Sequence, residues 1–91
     1  MTVERLMTAI GMRIFIKYYD YFKRGIDIIN KLEEEGFTLK SCRSRQSKAQ
    51  RIFRENLQVE ALKMVLNANK VSEETKNKAI ELLRSEKNER N

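Results

Sequence analysis

The chain has no histidine, no proline and no tryptophan, and only one cysteine and three glycines in 91 residues. Each absence excludes something. Without an imidazole there is no Ser-His-Asp triad, no Cys-His dyad and no histidine-ligated metal, and the lone Cys42 cannot build a thiolate cage. There is no Gly-rich phosphate loop, no internal repeat and no metal-spaced cluster, and the acids of the first third are dispersed or consecutive, which leaves no general acid/base pair. The expectation is a non-enzyme without cofactor or metal. One cysteine cannot staple its own chain, which fits the reducing cytoplasm. The start Met1-Thr2-Val3-Glu4-Arg5 is mixed in character, and the most apolar stretch, residues 10–22, is interrupted by Arg13, Lys17 and Asp20. Neither a secretory signal nor a membrane span is expected.

What remains is 35% charged and 41% hydrophobic, a balance that reads as one all-α domain and is too apolar for wholesale disorder. On a helical wheel, residues 2–35 keep one phase. Val3, Leu6, Met7, Ile10, Ile14, Phe15, Tyr18, Tyr19, Tyr21, Phe22, Ile26, Ile28, Ile29 and Leu32 share a sector, and Arg5, Arg13, Lys17, Asp20, Lys23, Arg24, Asp27, Lys31 and Glu34 fall in the complement. A strand over residues 13–19 is the rival reading, and it partitions the same side chains less well between two faces. Thr2 is the expected N-cap, and Gly36 the expected end, with Phe37 folding back on Leu32 or Glu33. Gly11 and Gly25 fall in the apolar sector and are read as contact points for another helix rather than as kinks.

Two magnitudes then bear on assembly. A straight helix over residues 2–35 would be ~50 Å long, whereas a compact chain of this size has a radius of gyration of ~12 Å. Its apolar sector spans roughly 220–240°, wider than the stripe of a surface helix. These favour a homodimer through the first helix, with Ile10, Ile14, Tyr18, Phe22 and Ile29 at the interface. The alternative is that the later helices wrap the first within one chain.

The charge is concentrated. Residues 1–39 carry six basic and six acidic groups, residues 55–91 carry seven of each, and residues 40–54 carry six basic groups and no acid, so this window holds the entire net charge of +6. It reads as a Ser-rich basic loop, residues 37–46, feeding a second helix over about 47–67 with Ser44 or Ser47 as N-cap. Lys40, Arg43, Arg45, Lys48, Arg51 and Arg54, followed by Gln58, form the candidate nucleic-acid-binding set, suited to phosphate oxygens by guanidinium geometry. Pairing of Glu33, Glu34 and Glu35 with Arg43 or Arg45, within the chain or across a dimer, is the competing explanation of the cluster. Cys42, between Lys40 and Arg43, is expected to have a lowered thiol pKa.

A third helix is expected over about 72–84, capped by Ser72, after a turn at Asn67-Ala68-Asn69-Lys70 in which Asn69 can turn left-handed. Residues 85–91 read as a frayed polar tail beyond the 1–84 domain. Helices 2 and 3 have the outline of a helix-turn-helix, but Glu73 and Glu74 would repel phosphates at the start of a recognition helix. The sequence therefore describes an all-α bundle of one long and two shorter helices, dimeric, acting as a small regulatory or accessory protein on DNA or RNA. The rival is a helical adaptor that binds protein, through leftover apolar surface of the first helix or by presenting the basic window to an acidic partner.

Overall fold

Thr2 opens the first helix as expected, its Oγ1 accepting the N–H of Arg5 at 3.3 Å. That helix ends eight residues later. The computed structural model describes residues 2–89, with side chains through 88, and among them there are seven helices and no strand. They are α1 (Val3–Ile10), α2 (Met12–Lys17), α3 (Tyr19–Lys23), α4 (Ile29–Glu34), α5 (Leu39–Arg54), α6 (Gln58–Asn67) and α7 (Glu73–Glu89).

The long first helix is thus replaced by four short ones. Gly11, at φ 92° and ψ 125°, leaves helical space altogether, and Tyr18 at φ −112° and ψ 22° interrupts the chain again. At Gly25 the break has a defined form. The N–H of Ile26 bonds to the carbonyl of Tyr21 and that of Gly25 to the carbonyl of Phe22, the paired bonds of a helix ended by a left-handed residue. Gly25 sits at φ 71° with nothing within 4 Å of where a Cβ would stand, so glycine is there for its dihedral and not for close contact. The expected end at Gly36 holds: Phe37 N–H reaches the Leu32 carbonyl and Gly36 N–H that of Glu33.

The second helix is divided too. Asn56, the one non-glycine residue at positive φ among those described, takes 57°, and the bonds Leu57 N to Ile52 O and Asn56 N to Phe53 O close the same motif. The left-handed asparagine is therefore Asn56 and not Asn69. Residues 39–46, read as a loop, are the first half of α5, whose N-cap is Thr38 rather than Ser44 or Ser47. Ser72 caps α7 as expected. The helix then continues to Glu89, past the expected end at residue 84, while residues 90–91 of the expected tail lie outside the described residues.

Packing explains the continuation. Glu86 is 4% exposed, and its carboxylate accepts from Tyr19 Oη at 3.0 Å, Lys23 Nζ at 2.7 Å and Gln58 Nε2 at 3.2 Å. Burial pushes this carboxyl up, but the bonds from Lys23, Gln58 and Tyr19 outweigh burial and hold it below its ordinary value. They tie α7 to α3 and α6.

The hub is α5, which packs against α1, α3, α4 and α6, while α7 covers α2 and α6. Leu6, Met7, Ile10, Phe15, Phe22, Leu32, Ala49, Ile52, Leu62 and Val65 fill the core. The extents are 37 × 27 × 23 Å with a radius of gyration of 12.4 Å. The conflict between a ~50 Å helix and a small globule is resolved by breaking the helix. The dimer expectation changes accordingly: Ile10, Ile14 and Phe22 are buried inside one chain, and Tyr18 and Ile29 are half-buried against the same core. No second copy is needed to cover them.

One ion-pair cluster fastens α2 to the end of α4. The Glu35 carboxylate accepts from Arg13 at 3.0 Å, Lys17 at 2.5 Å and the Tyr18 hydroxyl at 2.7 Å, and these bonds, led by that from Lys17, lower its pKa from 4.5 to about 2. A carboxyl whose pKa falls on folding stabilises above its unfolded value and loses that contribution as pH drops through the folded one. Glu35→Gln should therefore lower the melting temperature at neutral pH by ~5 °C. The gap to the natural protein should close as pH falls from 4.5 to about 2, as read by circular-dichroism melts across that range.

Candidate nucleic-acid interface

All six cations of the basic window lie on α5, a helix of 16 residues and so ~24 Å long. Its inward stripe is Cys42, Ala49 and Ile52. At ~100° per residue, Lys40, Arg43, Arg51 and Arg54 project within about 60° of the direction opposite that stripe, with Ser44 and Ser47 between them and Lys48 on one flank. Lys40, Arg43, Ser47 and Arg54 are exposed. Helix α5 carries no acid.

The structure separates two members from this face. Arg45 turns inward, where its guanidinium lies 3.8 Å from the centre of the Phe37 ring, Nε donates to Ser41 Oγ at 2.9 Å and Nη1 donates to the carbonyl of Ile10. That carbonyl is at the C-terminus of α1, where helix carbonyls lack intrahelical partners. Arg45 is therefore a fastening between α5 and α1. Gln58 begins α6 and bonds to Glu86, and its Oε1 is buried with no hydrogen-bond partner among the described residues. It does not extend the ridge.

Within the chain, no ion pair joins Glu33, Glu34 or Glu35 to a cation of α5 among the described residues. Glu35 is taken by Arg13, Lys17 and Tyr18. The acid that does reach the ridge is Glu55, just beyond the end of α5, which accepts from Arg51 Nε and whose pKa is lowered chiefly by that bond. Lys48 Nζ donates to Ser44 Oγ along the helix. No ion pair to Lys40, Arg43 or Arg54 is found among the described residues.

Two further cations come to the ridge from elsewhere. Beside the C-terminal half of α5, the turn at Gly25 sets Lys23 and Arg24 across an open surface groove of about 400 Å³ that Gln50 and Arg54 also line. Phe22 and Phe53 form its floor. Sequence reasoning missed this contact, because it depends on the break at Gly25 that the helical wheel concealed. Lys23 also bonds to Glu86, so Arg24 and Arg54 are the groove's freer charges.

Cys42 differs from its expectation as well. It is fully buried on the inner stripe and its thiol lies 3.6 Å from the Phe37 carbonyl as donor. Burial, reinforced by Glu33, pushes the thiol pKa up despite Arg45 nearby. Among the described residues no cluster of three or more His, Cys, Asp and Glu is placed to hold a metal, and no helix is long and apolar enough to cross a membrane. No protein-family model, curated protein or solved structure matches the chain.

The division between fastening and ridge is directly measurable. Arg45→Ala leaves the Ile10 carbonyl and the Phe37 face without their partner and should cost ~2 kcal/mol. Arg43→Ala, an exposed position, should stay within ~0.5 kcal/mol of the natural protein. Urea denaturation of the two variants gives the comparison, and equal destabilisation would refute the assignment. Thiol labelling of Cys42 should likewise follow unfolding and be negligible in the folded protein.

Proposed function

We propose that this protein is a small non-enzymatic nucleic-acid-binding protein, regulatory or accessory in role, which contacts phosphates through the outward face of α5. The observation that carries the reading is an acid-free helix of six cations, four of which project from one side. Such a pattern works against the helix itself. Lys40–Arg43, Arg45–Lys48, Lys48–Arg51 and Arg51–Arg54 are like charges at i, i+3, each destabilising by ~0.2–0.5 kcal/mol. Lys40 sits in the first turn, which has no acid and where the macrodipole disfavours a cation. Only Arg51 and Arg54, at the C-terminal end, agree with the dipole.

A face this cationic, at a cost to the local stability of its helix, supports a polyanionic partner, and arginine supports phosphate in particular, because the planar fork can bond two oxygens at once. The working set is Lys40, Arg43, Lys48, Arg51 and Arg54, joined by Arg24 at the groove. Helix α7 is a poor alternative reading element, since Glu73 and Glu74 are exposed in its first turn.

The test is a salt titration. Binding of labelled nucleic acid by the natural protein should weaken steeply with salt. The combined variant Lys40→Ala, Arg43→Ala, Arg51→Ala, Arg54→Ala, which spares Arg45, should lose at least ~100-fold in affinity at about 50 mM salt and show a shallower slope, each lost phosphate contact removing ~0.9 from it. Equal binding by both proteins, or none by either, would refute the proposal. Glu55→Gln releases Arg51 and should tighten binding by ~2–5-fold, within the range of an exposed pair.

A further inference from the structure

We infer that α5 enters the major groove of B-form DNA, with Ser44 and Ser47 at the point of closest approach. The inference rests on the reading of the α5 face as a phosphate-binding surface and specifies the nucleic acid that this surface takes.

The first argument is the profile of the face along its length. Lys40 and Arg43 stand at one end and Arg51 and Arg54 at the other, and between them lie the two short residues Ser44 and Ser47, with Lys48 on the flank and its ammonium on Ser44 Oγ. The result is a saddle. Short side chains in the middle let the helix axis come close to a surface, and long cations at the ends reach past it on either side. A major groove supplies the matching shape: a floor of base edges with phosphate walls. Serine hydroxyls bond to base-edge donors or acceptors alike, and the arginines can reach guanine edges or the walls.

The second argument is fit. A helix with its side chains is ~10–12 Å across, and the B-form major groove is ~12 Å wide. The major groove of A-form RNA is deep and narrow and does not admit side chains in this way. A non-specific single-strand platform stacks bases on aromatic rings. On α5 the sole aromatic is Phe53, whose ring packs 5.7 Å from Phe15 and 4.9 Å from Tyr19 in the core. The one ring that α5 offers is half-buried at the groove floor, and the helix has no second ring on which a successive base could stack.

The third argument comes from outside α5. The groove formed by Arg24, Gln50 and Arg54 runs beside the C-terminal half of the helix. With α5 seated between two strands, this is where one backbone passes, and Arg24 meets a phosphate there from the side opposite Arg54.

The test measures fluorescence anisotropy with a labelled 20-bp DNA duplex, the RNA duplex of the same sequence and the single DNA strand, all at one salt concentration. The proteins are the natural chain, the pair Ser44→Leu with Ser47→Leu, and the pair Ser44→Ala with Ser47→Ala. Leucine and alanine both favour helix, and a melt confirms folding of each variant. The DNA duplex should bind at least ~10-fold more tightly than the other two ligands. The leucine pair should lose ~10-fold or more on it, while the alanine pair stays within ~3-fold, because filling the saddle lifts the helix out of the groove. Methyl green, a major-groove ligand, should compete, and netropsin, a minor-groove ligand, should not. This arm needs no variant. Equal affinity for the RNA and DNA duplexes, a folded leucine pair that binds normally, or displacement by netropsin alone would each overturn groove entry while leaving the phosphate surface standing. Absence of binding to all three ligands would overturn both.

Discussion

The hydrogen bond from Arg45 to the carbonyl of Ile10 closes the joint on which the arrangement turns. Once Gly11 leaves helical space, α1 ends in the interior with carbonyls that the helix itself cannot satisfy. A guanidinium supplies the donor, and it is kept in place by the Phe37 ring and Ser41. The joint allows α1 to lie on α5 and α6 while α2 turns towards α7. A Cβ at position 11 would stand 3.4 Å from Arg45 Nη1 and would have to adopt a φ of 92°. Glycine at 11 and arginine at 45 are therefore one device, and Ile10, buried completely, is sealed beneath it.

That device also decides how the positive charge is shared. One of six cations is spent on the fold, and the outward face belongs to the others. Helix α5 bears their mutual repulsion because packing overrides it: Cys42, Ala49 and Ile52 are fully buried, and Phe53 joins the Phe15 and Tyr19 rings. Burial of a few large side chains is worth ~1.5–3 kcal/mol each, which exceeds the few tenths set against each like-charge pair. Propensity and charge would make this segment a weak helix in isolation. The tertiary contacts make it the hub.

The helical class, the caps at Thr2 and Ser72, the end at Gly36 and the acid-free cationic window were legible in the sequence, because each depends on neighbours a few residues away. The breaks within residues 2–35 were not. Each short helix turns its own narrow stripe to the core: Leu6, Met7 and Ile10 on α1, Phe15 and Ile16 on α2, Tyr19 and Phe22 on α3, Leu32 on α4. Pooled on a single wheel, all of these but Ile16, which falls among the charges, make one sector too broad for any surface helix. Such breadth is also what a chain wrapped round its own core produces, so it does not by itself require an interface. The glycines at 11 and 25 carried the necessary hint, and their place in the apolar sector hid it. Asn56 gave less warning, since an asparagine between two helical stretches is compatible with either reading until the left-handed turn is seen. For Glu86 no local signal existed. A glutamate in a polar tail reads as solvated, and only the meeting of α3, α6 and α7 surrounds it with three donors.

The same breaks set the scale of the proposed interface. With Ile10, Ile14 and Phe22 buried inside one chain, each protomer offers one α5 face. A helix ~24 Å long runs beside about seven base pairs at ~3.4 Å each. The contacts available over that length are the cations at its two ends, Lys48 on its flank and Arg24 at the Gly25 turn. Glu55 follows directly on α5, held there by the left-handed turn at Asn56, and it limits the cationic surface at that end by engaging Arg51. On the proposed reading, the turn that stops the helix also marks where the phosphate track stops. Affinity from so short a track is dominated by counterion release and is modest at physiological salt.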